Sequence, residues 1–114
     1  MHINKFEDAI AWQKSKLLTL QIYKYFSKNR DYGFRDQILR ASVSVMNNTA
    51  EGFERNSDKE LKQFLFIAKG SCGEVRSMLV LAFELSYIKK DTYDELNDLC
   101  LETSKVLAGF IRKL

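Results

Sequence analysis

The chain has 114 residues, 46% of them hydrophobic and 29% charged, with a formal net charge of +3. This composition excludes a disordered chain, a disulfide scaffold and a collagen-like repeat. Proline is absent and glycine occurs five times, too few turn formers for a sandwich or barrel of many short strands.

Four helices are predicted. The first covers residues 8–28, where Ile10, Ala11, Leu17, Leu18, Ile22, Tyr25 and Phe26 recur at helical spacing. Asn29, Arg30 and Asp31 form a polar break. The second covers residues 33–55, with Phe34, Ile38, Ala41, Val45, Thr49 and Phe53 on one side. The third opens on Ser57 as N-cap, with Glu60 completing a capping box, and runs to about residue 86. Its apolar side carries Leu61, Phe64, Leu65, Ala68, Cys72, Val75, Leu79, Ala82 and Phe83. The fourth begins at Asp91, read as its N-cap. Tyr93, Leu96, Cys100, Thr103, Leu107, Phe110 and Leu114 then keep a heptad spacing. Short links make successive helices antiparallel neighbours. The expected fold is all-α, an up-down-up-down antiparallel four-helix bundle, in one domain spanning residues 1–114.

The chemistry is sparse. The only histidine is His2, at the N-terminus, and the two cysteines, Cys72 and Cys100, form no CxxC. That excludes a His/Cys zinc site with its usual spacing and a Ser/His/Asp or Cys/His nucleophile system. No GxGxxG or GxxxxGK[ST] loop is present. No catalytic residue, metal or cofactor is expected. The longest unbroken apolar runs are six residues, against about 20 for a membrane span, and the N-terminus lacks a signal-peptide core. A cytoplasmic location follows, with both cysteines as reduced core thiols.

Three groups of residues need explaining. On the second helix, Arg40, Ser44, Asn48, Glu51 and Arg55 line one polar stripe, with Glu51 and Arg55 placed for an i,i+4 ion pair. It is either a solvated face or a hydrogen-bonded interface with a helix, a subunit or a ligand. Gly52 beside it suits a close backbone approach. On the third helix, Ala68, Gly70, Ser71, Cys72 and Gly73 are small enough to let another helix come near. Glu74 follows, either turned outward or paired with Arg40 or Arg55. The third group is basic. Residues 1–30 carry six Lys/Arg against two Asp/Glu, and Lys14, Lys16, Lys24, Lys28 and Arg30 are candidate phosphate partners. Lys14 and Lys16 lie about 200° apart on the helix, so one copy offers a weak footprint. Symmetric assembly multiplies it.

Several stretches together resemble a known family. Phe6-Glu7-Asp8 with Ala11-Trp12-Gln13-Lys14 resembles its opening, and Tyr32-Gly33-Phe34 with Gln37 and Arg40-Ala41-Ser42-Val43-Ser44 the start of its second helix. Asn48-Thr49-Ala50-Glu51-Gly52-Phe53 with Arg55 resembles its most recognisable signature, although Thr49 stands where the family usually has Ile. Phe64-Leu65, Ile67-Ala68, Gly70-Ser71 and Glu74 resemble its third helix. The family is the four helix bundle proteins, also called the 23S ribosomal RNA intervening-sequence proteins. The resemblance implies a bacterial, non-enzymatic bundle, often a homopentamer. Some relatives are accessory proteins of diversity-generating retroelements that bind a reverse transcriptase and nucleic acid. The expected function is a homo-oligomer, pentameric by this resemblance, that associates with RNA or another nucleic acid. The rival is a scaffold for a partner protein without RNA affinity of its own. An enzyme site at Glu51 and Glu74 is disfavoured, since no long loop is available to build a cleft.

Overall fold

A computed structural model describes residues 5–114; His2 lies outside them. A single 3-10 turn, Phe6–Asp8, precedes four helices: α1 Ile10–Phe26, α2 Tyr32–Phe53, α3 Asp58–Glu84 and α4 Lys90–Arg112. The up-down-up-down bundle is the one expected. Each helix packs on two neighbours, α1 on α2 and α4, α3 on α2 and α4, and the backbones of the diagonal pairs do not approach closely. The long axis is 43 Å, close to the length of α3 at about 1.5 Å per residue.

The starts of α1 and α4 depart from expectation, while the Ser57 capping box of α3 is as expected. α1 starts at Ile10 because Ala9 is extended and serves as N-cap without a side-chain bond. α2 is capped by Asp31, whose carboxylate accepts from Phe34 N–H. At α3 the Ser57 hydroxyl accepts from Glu60 N–H at 3.2 Å, while the Glu60 carboxylate accepts the Ser57 O–H. The α3 C-terminus closes as a Schellman motif, with Tyr87 N–H on Ala82 O and Ser86 N–H on Phe83 O. Ser86 takes the left-handed position, φ 63°. Asp91 is not the cap of α4. Lys89 is, and the helix begins about half a turn earlier because buried Ile88 anchors the chain there. Asp91 keeps a favourable place in the first turn.

The core is Leu18, Ile22, Phe26, Ile38, Val45, Leu65, Val75, Leu79, Leu96 and Leu107, all nearly inaccessible. Two residues expected in it, Ile10 and Leu17, are outside, at 50% and 43% exposure. Their places are taken by Ser15 and Thr19, small enough to sit in the α1–α2 seam. Ser15 bonds to Ala11 O, and Thr19 bonds to Ser15 O and, across the seam, to Ser42 O. Thr49 is fully buried, its hydroxyl on Val45 O. Cys72 donates to Cys100 O at 3.2 Å, and both thiols are free and buried. The adjacent Cys72 side chain, then burial, pushes the Cys100 thiol above its ordinary range.

The glycines divide by function. A Cβ on Gly52 would meet Leu61 Cδ1 and Phe64 Cβ at 3.0 Å and Leu61 O at 3.3 Å. This is the close approach the sequence suggested, and α2 against α3 is the most extensive helix pair. Gly70 and Gly73 have nothing within 4 Å of a Cβ. They face away from the bundle, so the expectation that they admit a neighbouring helix of the same chain is corrected.

Gly52→Ala should destabilise the fold by about 1–3 kcal/mol through overpacking, because Phe64 Cβ and Leu61 O yield only if α3 itself moves. Gly70→Ala should stabilise it by about 0.5–1 kcal/mol. Urea unfolding reads both signs.

The Asp31 carboxyl is held below its ordinary 3.8 by the Tyr87 hydroxyl, at 2.6 Å, and then by Phe34 N–H. A lowered folded value means the stabilisation is fully present above about pH 5 and is lost as pH falls through the unfolded and then the folded value. The Tm difference between the parent and Asp31→Asn should therefore be constant near neutrality and shrink on acidification below about pH 5, as read by circular-dichroism melts.

Candidate functional site

The polar stripe of α2 splits once the helices are in place. Ser44 and Asn48 are half-buried in the α2–α3 seam. Ser44 Oγ and Ser71 Oγ lie 2.8 Å apart, and Asn48 Nδ2 donates to Ser44 O and Oγ, both at 2.9 Å. Arg40, Glu51 and Arg55 remain exposed. Arg55 binds Glu51 at 2.7 Å, as the spacing indicated, approaches Glu60 at 4.0 Å and stacks over the Phe64 ring at 4.9 Å. Glu74 does not pair with Arg55. Nor does it pair with Arg40 within 4.0 Å, although the two line one groove of about 540 Å³ with Gly33, Asp36, Gln37 and Ser44. The groove is open and bordered by charges of both signs.

The basic residues of α1 do not share one face. Lys14 is ion-paired with Glu102 of α4. Lys16 lies over the Trp12 ring at 5.6 Å and Lys24 over Tyr25 at 5.3 Å. Lys28 and Arg30 follow the end of the helix and are exposed. The side of α4 turned to α1 is acidic: Glu95, Asp98 and Glu102 line the α1–α4 groove with Leu17 and Gln21. Lysines of α1 on that side therefore face carboxylates of the same chain.

Two features were not legible as sites in the sequence. One is apolar: Ile10, Leu17, Leu20 and Tyr23 on α1, and Phe66, Ile67, Val80, Leu81 and Leu85 on α3 and its C-cap, are each more than 40% exposed. Leu17 and Leu20 border a groove of about 550 Å³ with Trp12, Gln13 and Lys16. The other is basic: Lys62, Lys69 and Arg76 recur every seven residues on α3, a period that would have revealed one face. Among the described residues no group of three His, Cys, Asp or Glu is placed to hold a metal, and no helix is long and apolar enough to cross a membrane.

Comparison with known proteins identifies the fold's relatives. Residues 7–109 match the 23S rRNA-intervening sequence protein family, and the chain belongs to that family. No curated protein matches it. Among solved structures, a protein of unknown function from the S23 ribosomal protein family of Bacteroides thetaiotaomicron superposes with a TM-score of 0.82. It is 26% identical, over 89% of this chain and 97% of that one. The family is one of small helical proteins and is not a known enzyme family.

Because Arg40 and Glu51 are exposed and make no buried contact, Arg40→Ala and Glu51→Ala should each change the unfolding free energy by less than about 1 kcal/mol. Urea titration checks this. A loss of folding in either variant would contradict the placement of the two side chains.

Proposed function

We propose that this chain is a non-catalytic, cytoplasmic homo-oligomer that binds RNA through phosphate contacts, with five subunits as the family resemblance implies. The observation that carries the assembly is the outer apolar surface. In a closed bundle no helix of the same chain remains to cover Leu17, Leu20 and Tyr23 on α1, or Phe66, Ile67 and Leu81 on α3. Exposed apolar groups at this density mark contact surfaces. Since α1 and α3 are diagonal, a contact of one ridge with the other is heterologous, and heterologous contacts that close generate rings. In such a ring the exposed arginine and glutamate of the α2 stripe, Arg40 and Glu51, lie near the α3 ridge and contribute polar contacts at its rim.

RNA binding draws on the surplus of positive charge. In this reading α1 and the turn after it supply Lys16, Lys24, Lys28 and Arg30 to phosphates, and Lys14 exchanges Glu102 for phosphate. A partner protein in place of RNA is favoured by one feature, the mostly apolar groove at Trp12, Leu17 and Leu20.

Light scattering should give the parent a mass several times that of one chain, and Leu20→Glu or Phe66→Glu should reduce it with helical content unchanged. A monomeric parent overturns the assembly. Fluorescence anisotropy with labelled oligouridine should show binding that weakens steeply with salt. No binding at low salt overturns the RNA reading and leaves the partner protein.

A further inference from the structure

Apart from the α1 cations, a second row of unpaired cations lies along α3 on its α4 side, with two more on α4. Lys62, Lys69 and Arg76 are spaced by seven, about 10 Å apart along α3. Lys105 and Arg112 are spaced by seven on α4. The bond from Cys72 Sγ to Cys100 O places those two residues level on antiparallel helices. From that register Lys105 stands level with Ile67 and Arg112 level with Glu60, so the five cations span about 24 Å of the bundle axis; Asp91 and Asp98 precede Lys105 on the same spacing. Ser71, next to Cys72, bonds to Ser44 of α2, so Lys69 and Arg76, on the opposite flank of Cys72, lie on the α4 side of α3.

These cations lack partners. No carboxylate lies within 4.0 Å of any of the five, whereas Lys14, Arg35, Arg55 and Lys90 are all ion-paired. No aromatic ring lies beneath them, as one does beneath Lys16 and Lys24. Several carboxylates of the same two helices are engaged elsewhere: Glu95, Asp98 and Glu102 line the α1 groove, Glu74 lines the α2 groove, Glu60 approaches Arg55 and Asp94 is paired with Lys90. A second observation coincides. Gly73, four residues after Lys69 and three before Arg76, sits mid-helix, where glycine weakens a helix. Nothing in the chain lies within 4 Å of the Cβ it lacks, so packing inside the bundle does not account for it. A bare backbone between cations suits a strand laid directly against the helix.

We propose that the α3–α4 face is a binding site for the sugar–phosphate backbone of RNA, with Lys62, Lys69, Arg76, Lys105 and Arg112 as phosphate partners and Gly73 as the point of closest approach. This rests on the RNA reading above and adds to its α1 cations a second face that carries the larger share of the contact.

The test compares two double variants, Lys69→Glu with Arg76→Glu and Lys24→Glu with Lys28→Glu, for binding of fluorescein-labelled oligouridine across a salt series. Mass and helical content are checked for each. The α3 pair should weaken binding at least tenfold and flatten the slope of log affinity against log salt by about 1.4, two single-strand contacts. The α1 pair should have the smaller effect. Gly73→Ala should raise Tm yet weaken binding. If the parent binds and the α3 pair binds equally well, the proposed face is wrong while the RNA reading stands. If the parent does not bind, the reading itself has failed. If the α3 pair loses mass, the face is a contact between copies and the proposal is overturned.

Discussion

The bundle depends on how closely α2 and α3 approach. At Gly52 the two helices are near enough that one added carbon would strike Leu61 and Phe64 at 3.0 Å. That separation permits Ser44 and Ser71 to bond directly and Asn48 to cap the pair. A wider spacing would strand these half-buried polar groups without partners, each unmade bond costing about 1–3 kcal/mol. The seam is thus held by shape and by hydrogen bonding at once, and the rest of the bundle is built outward from it.

The same device recurs at the other seams in weaker form. Ser15, Thr19, Thr49 and Thr103 are buried hydroxyls that bond to the carbonyl four residues back, and Thr19 also bonds across to Ser42. Among the described residues no buried side-chain nitrogen or oxygen lacks a partner. Small polar residues therefore substitute for large apolar ones inside the bundle, and large apolar residues such as Leu20 and Phe66 remain outside. Aromatic contacts tie the ends. Phe34 packs edge-on against both Phe26 and Tyr87, and Phe53 against Phe110.

Folding also sorts the charges. The basic bias of the first thirty residues is partly neutralised by the acidic side of α4, with Lys14 against Glu102 as the direct contact. The middle of the chain is nearer balance by count, but Asp36 and Glu74 line the groove between α2 and α3. Lys62, Lys69 and Arg76 are left on an open face. Counting charge along the sequence and counting it by surface thus point to different helices, because packing decides which signs are juxtaposed.

Periodicity determined the helix number and the inward sides of α2, α3 and α4, the short links the antiparallel order, and the capping box the Ser57 start of α3. These follow from local spacing and from hydrogen bonds within one turn, which a sequence records directly. The ion pair between Glu51 and Arg55 was legible for the same reason, since it spans one turn. The α1 interior was read less well. Its apolar residues surround the helix, so spacing did not separate Leu18, which is buried, from Leu17, which is not. Whether Gly52 or Gly70 is the contact glycine, whether Glu74 meets an arginine, and which cations stand without carboxylates were decided only by the tertiary structure. Those properties depend on the distance and rotation between helices far apart in the chain. That geometry is set by the summed packing of all four helices and leaves no periodic mark on any one of them.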